Sequence, residues 1–105
     1  MLQALSAQRI LAWRHPVDMR KSFDGLIAIT SHVLNENPLS GTIFVFHNKK
    51  RNYIKLLIWD RTGYVLYAKR LERGKFKLFL TDDKQVLNQQ QLSFLLDGIP
   101  VGKRC

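Results

Sequence analysis

The stretch "TIFVFHNKKRNYIKLLIWDRTGYVLYAKR" (Thr42–Arg70) decides the fold. From Thr42 the apolar pattern takes a period of two, as in a pleated strand, in "TIFVFH" (Thr42–His47) and "YIKLLIW" (Tyr53–Trp59). The polar loop "NKKRN" separates these two runs, and "DRTG" (Asp60–Gly63) turns the chain into a third, "YVLYAKR", with Gly63 suited to a positive φ. Two consecutive hairpins follow from this pattern. In the middle run Ile54, Leu56 and Ile58 make the better core face, leaving Tyr53, Lys55, Leu57 and Trp59 on the other. That second face still holds Leu57 and Trp59, so it needs a cover from the terminal segments or from a partner.

Upstream, "RILAWR" (Arg9–Arg14) reads as a short strand that "HP" interrupts, because Pro16 has no N–H and biases His15 away from helix. Asp18 is a plausible N-cap for a helix in which Met19, Phe23, Leu26, Ile27, Thr30, Val33 and Leu34 share a face. That helix ends before the turn-forming "NPLSG" (Asn37–Gly41). Downstream, "KFKLFL" (Lys75–Leu80) fits a further strand. The segment "NQQQLSFLLDG" (Asn88–Gly98) fits a helix carrying Leu92, Leu95 and Leu96 on one side, with Gly98 as its stop. The expected fold is α+β: an antiparallel β-meander of about four to five strands, with an N-terminal-half helix and a C-terminal helix packed on one face. No linker or repeat divides the chain, so residues 1–105 are expected to form a single domain.

The 17 Lys+Arg against 8 Asp+Glu give a formal charge of +9, which favours polyanionic partners. The only cysteine is Cys105, which excludes an internal disulfide and a Cys-rich zinc site, and points to a reducing cytoplasm. No apolar run approaches the length of about 20 residues that spans a bilayer, and "MLQALSAQRILAWR" lacks the pattern of a secretory signal. A membrane partner is therefore not expected.

Catalytic signatures are lacking. His15, His32 and His47 have no metal-ligand spacing, and no phosphate-binding loop, dinucleotide fingerprint or nucleophile elbow occurs. Asp24, Asp60 and Glu72 are the acids to weigh for two-metal phosphoryl transfer, which needs carboxylates converging on ions about 4 Å apart. Asp24 belongs to the polar side of a helix, Asp60 to a turn, and Glu72 to a bed of cations. The sequence does not read as an enzyme, and it implies no metal and no cofactor.

Positive charge is concentrated instead. Lys49, Lys50, Arg51, Lys55, Arg61, Lys69, Arg70, Arg73, Lys75 and Lys77 are opposed between His47 and Lys77 only by Asp60 and Glu72. If "RGKFK" is extended, Arg73, Lys75 and Lys77 share one side and can follow a phosphate backbone; the alternative is an edge strand guarded by lysines. Tyr53, Trp59, Tyr64, Tyr67 and Phe76 interleave with these charges and, where exposed, could stack on unpaired bases. Arg20 and Lys21 fall at the expected helix start, where free amides and two cations favour a phosphate.

The blocks "DMRKSFDGL" (Asp18–Leu26), "SGTIFVFHNKKRNYIKLLIWDRTGYVLYAKRLERGKF" (Ser40–Phe76) and "LLDGI" (Leu95–Ile99) resemble TnpB, the small second-reading-frame protein of the insertion sequence sixty-six family. These proteins are distinct from the larger RNA-guided nucleases that share the name. Ser22 and Thr62 depart from positions where glycine is frequent, and the tail "PVGKRC" is idiosyncratic. The resemblance implies a non-catalytic accessory protein in DNA transposition, acting beside a separately encoded DDE transposase. It carries over only candidates: Arg20 and Lys21 from the first block, and Lys69, Arg70, Arg73 and Lys75 from the second. DNA at the element ends and other element-encoded proteins, the transposase included, are the expected partners, and a homo-oligomer is compatible. The alternative is a module that binds the transposase without touching DNA, through the face around Leu57 and Trp59 and the Leu-rich last helix.

Overall fold

The computed structural model describes residues 9–102, so Cys105 lies outside the described residues. The elements run β1 (Ile10–Trp13), α1 (Phe23–His32), β2 (Ile43–His47), β3 (Tyr53–Asp60), β4 (Gly63–Arg70), β5 (Leu78–Phe79), β6 (Lys84–Leu87), α2 (Gln89–Leu96) and β7 (Val101–Gly102). The fold is α+β, with a mostly antiparallel five-stranded sheet in the order β4-β3-β2-β1-β6.

The two hairpins stand as the alternation dictates. The register of the second runs unbroken from Tyr53 opposite Arg70 to Asp60 opposite Gly63. Positive φ falls on Arg61 (55°) rather than on Gly63, which opens β4. The meander stops there. β1 lies parallel to β2, joined to it through α1, and β6 pairs antiparallel on the far side of β1. "KFKLFL" contributes only Leu78–Phe79, paired in parallel with Val101–Gly102 in a separate two-stranded sheet.

The sheet is buried on both faces, which corrects the expectation that both helices share one. Ile10, Ala12, Ile43, Val45, Ile54, Leu56 and Ile58 pack with Leu92 and Leu95 of α2. Leu11, Phe44, Phe46 and Leu57 pack with Leu26 of α1 and with Val17 and Leu34 beside it. Successive residues of a strand point to opposite faces, so a central strand buried twice reads as a nearly continuous apolar run. "LLI" (Leu56–Ile58) is such a run, fully buried along its length. The cover that Leu57 needs is therefore supplied by α1.

Helix α1 starts later than its spacing predicts. Asp18 caps a turn: its Oδ1 accepts from the Arg20 amide at 2.9 Å, and its carbonyl accepts from the Lys21 amide at 3.1 Å. Ser22 is the N-cap and offers no side-chain hydrogen bond. Arg20 and Lys21 consequently precede the helix instead of occupying its first turn. Phe23 and Val33, assigned to the apolar stripe by spacing, are exposed. α2 follows its sequence signals closely. Asn88 and Gln91 form a reciprocal capping box, and Gly98 ends the segment with φ 80°.

The edge strand β6 is fastened to the end of α1 by charge. Lys84 Nζ donates to Leu34 O at 2.9 Å and to Glu36 Oε2 at 2.7 Å, and Arg9 Nη1 donates to Glu36 Oε1 at 3.0 Å. The Lys84 ammonium, and after it the Arg9 guanidinium, holds the Glu36 carboxyl below its ordinary value of 4.5. A lowered folded-state value means that protonation favours the unfolded chain. The contribution is complete above about pH 4.5 and is lost as pH falls through the folded value. Both cations are more than a third exposed, so screening limits the effect. Replacing Glu36 by Gln is expected to cost about 0.5–1 kcal/mol at pH 7 and low salt, and to flatten the acid limb of stability. Urea midpoints from pH 7 to pH 3 read both effects.

Candidate nucleic-acid interface

The β2–β3 loop is the pivot of the basic end of the molecule. Two asparagines shape it. Asn48 Oδ1 accepts from the amides of Asn52 (3.0 Å) and Tyr53 (3.2 Å), while Asn48 Nδ2 donates to Asn52 Oδ1 at 2.6 Å. Side-chain amides that bond the backbone in this way fix a loop without a strand ladder. Within it Arg51 takes φ 59°, a left-handed conformation uncommon outside glycine and asparagine. The loop thus holds Lys49 and Lys50 outward on a defined backbone, and both side chains are exposed.

A second wall comes from the segment before α1. The Val17 amide donates to His47 O at 2.8 Å, and the His47 ring lies with Nε2 2.8 Å from Arg14 O and Nδ1 3.0 Å from Asn48 O. His47 is structural in this setting: it binds the Arg14–Val17 segment and the Asn48 loop to the end of one strand. Between the walls lies an open cleft of about 680 Å³, lined by residues including Val17, Met19, Arg20, Lys49, Lys50, Tyr53 and Arg70.

Four of the sequence candidates meet in that cleft. Arg70, at the end of β4, pairs directly opposite Tyr53 and shares its face. Arg20 stands across from them, its guanidinium donating to Asp18 through Nε (3.1 and 3.0 Å) and Nη2 (2.7 Å). Hydrogen bonds from the Arg20 side chain and amide bring the Asp18 carboxyl down to about 2, so this one acid among the lining residues stays ionised and occupied by its own arginine. The Arg20 side chain is nonetheless 91% exposed, so much of the guanidinium still faces solvent.

The other candidates divide. Arg51, Arg73, Lys75 and Lys77 are exposed around the same loop: the Arg51 carbonyl accepts from the Phe76 amide at 2.6 Å, and Asn52 O accepts from the Leu71 amide at 2.8 Å. Lys75 and Lys77 point outward while Phe76 and Leu78 are buried, as the alternation of "KFKL" dictates. The edges of the large sheet are β4 and β6, so this row does not guard one of them. Lys69 is drawn away: opposite Ile54 it lies on the α2 face, where its Nζ donates to Leu96 O at 2.7 Å. Lys21 is exposed outside the cleft lining, and its carbonyl accepts from Lys55 Nζ at 2.8 Å. A Cβ at Gly25 would come within 3.0 Å of Lys21 Cβ, so glycine lets the Lys21 stem lie against the helix start.

The acids do not converge. Asp60 lies at the turn of the β3–β4 hairpin and Glu72 beyond its open end, eight strand residues away, or about 26 Å. Asp24 is in α1, and no group of three or more His, Cys, Asp or Glu residues comes together among the described residues.

The family model described as IS66 Orf2 like protein matches residues 8–105. The chain belongs to that family. Two similar proteins, y4jC and y4hO of Sinorhizobium fredii, are both described only as uncharacterized proteins. The first is 34% identical over 93 residues, covering 87% of this chain and 79% of y4jC. The second is 35% identical over 97 residues, covering 90% of this chain and 84% of y4hO. No solved structure matches. Membership of an insertion-sequence family places the chain among transposition-associated accessory proteins. Among the described residues no helix is long and apolar enough to cross a membrane.

Sequence reasoning found the cations but missed what organises them. Asn48 and Asn52 flank "KKR" symmetrically, and paired asparagines around a short basic run are the signal that a clamped loop leaves. Pro16, Val17 and Met19 carry no comparable signal, since they become a wall only through β1 lying beside β2.

Proposed function

We propose that this protein is a non-catalytic accessory factor of transposition that binds DNA through its basic end and so assists a separately encoded DDE transposase. One observation carries the reading: Arg20, the adjacent Lys49 and Lys50, and Arg70, from three separate stretches of sequence, line a single cleft, with Arg51, Arg73, Lys75 and Lys77 exposed beside it. Cations grouped at one end meet phosphates together, and each contact releases counterions. The charge of +9 adds long-range attraction, in a cytoplasmic setting and with residues 1–105 acting as one domain. Helix α1 packs over Leu57, part of the apolar face behind a purely protein-binding module, which supports DNA as the direct partner and the transposase as the protein met on it.

Fluorescence anisotropy with element-end duplex and a scrambled duplex, across a salt series and with and without transposase, tests this. The logarithm of affinity is expected to fall linearly with the logarithm of salt, with a slope of magnitude about 3.6 or more if four or more phosphates are neutralised. Undetectable binding at low ionic strength, or binding insensitive to salt, contradicts it.

A further inference from the structure

The cleft differs from a plain basic surface in having an aromatic and apolar floor. Tyr53 contributes a ring and Val17 and Met19 contribute aliphatic surface, beneath a rim of Arg20, Lys49, Lys50 and Arg70. Lys55 Nζ lies 5.6 Å from the centroid of the Tyr53 ring. Because Lys55 is only 7% exposed and its ammonium donates to Lys21 O, it backs the ring from the protein side. The ring is itself half-buried, with its remaining surface available to the cleft. Its β3 position is fixed by the Asn48 clamp and by pairing with Arg70.

We infer that the cleft receives an unpaired DNA nucleotide, its base stacked on Tyr53 and its flanking phosphates held by the rim. This rests on the DNA-binding reading above and adds the strand form. The volume, about 680 Å³, falls in the range of small-ligand sites and accommodates one nucleotide. Bases inside an intact duplex are stacked on their neighbours and cannot present a face to a ring recessed between two walls. A single strand can, and stacking on an aromatic tolerates any base. Intact duplex would lie across the rim cations and the exposed row of Arg51, Arg73, Lys75 and Lys77 without reaching the ring. The protein is therefore suited to a junction where duplex passes into single strand.

The test compares a blunt duplex with the same duplex carrying a single-stranded tail, by anisotropy at one salt concentration. The tailed duplex is expected to bind about tenfold more tightly. Tyr53→Leu is expected to lower tailed-duplex affinity about tenfold more than blunt-duplex affinity and so remove the preference, and Tyr53→Phe to retain it. Photo-crosslinking of a halogenated-uracil tail to the unaltered protein supplies a readout independent of variant folding; the adduct is expected on Tyr53 or a rim residue. Equal binding of blunt and tailed duplexes, an equal loss on both with Tyr53→Leu, or crosslinks only outside the cleft would overturn the inference. Equal binding to both overturns the strand-form inference alone, whereas binding to neither removes the DNA reading as well.

Discussion

Removing three cleft cations together, in Lys49→Ala/Lys50→Ala/Arg70→Ala, is expected to weaken DNA binding at least roughly tenfold and to lower the slope of log affinity against log salt by about 2.7. The slope is the more telling number. Each phosphate left unneutralised lowers it by about 0.9 on duplex, and three such phosphates give that change, whereas a general loosening of the fold would lower affinity without a matching change in slope. All three side chains are exposed, and no hydrogen bond of theirs defines the loop, which Asn48 and Asn52 clamp. The variant should therefore fold as the parent does, with a circular-dichroism melt within a few degrees. Lys69→Ala provides the contrast. Its ammonium is committed to Leu96 O on the other face, so it is expected to affect stability rather than the salt slope.

The largest effect on stability is expected at Phe44. This residue is fully buried in β2, between neighbouring strands and beneath α1, in the cluster with Leu11, Leu26, Leu34, Phe46 and Leu57. Phe44→Ala removes a ring that the surroundings cannot refill and is expected to cost about 3–5 kcal/mol. A domain with a total stability of about 5–15 kcal/mol then melts more than about 12 °C earlier. Phe94→Ala, on the exposed side of α2, is expected to change stability by about 0.5 kcal/mol or less. A thermal melt followed by circular dichroism distinguishes the two. Similar small losses at both positions would mean that α1 does not close the Phe44 face.

What could be read from the residues follows how local each feature is. The β2–β3 and β3–β4 hairpins were legible because alternation and turn chemistry are written within a few residues of each other. The same holds for α2, whose Asn88–Gln91 box and Gly98 stop are local. The start of α1 was not, because Asp18 uses its carboxylate on the Arg20 amide and on the Arg20 guanidinium, one turn ahead of the helix. The parallel placement of β1 beside β2 and the antiparallel addition of β6 depend on contacts between distant segments, for which alternation gives no instruction. The helices' opposite faces had a faint signal in "LLI", where burial on both sides erases the alternation that marks a half-exposed strand. Within the interface, charge was legible but grouping was not. Arg20 and Arg70 meet only because the Val17 amide and His47 anchor one wall to the strand end that carries the other. Lys69 and Arg70 look equivalent in sequence, yet adjacent positions on a strand point to opposite faces, and only one reaches the cleft.

Chemical-shift mapping tests the proposed DNA contact at the basic end most directly. Isotopically labelled protein is titrated with element-end duplex at low salt, and the amide perturbations are placed on the sheet. The largest shifts are expected at Arg20, through the Asn48–Asn52 loop, at Arg70, and along the segment from Arg73 to Lys77. Shifts confined to β6 and the exposed side of α2, with the Lys49–Arg51 loop unchanged, would contradict it.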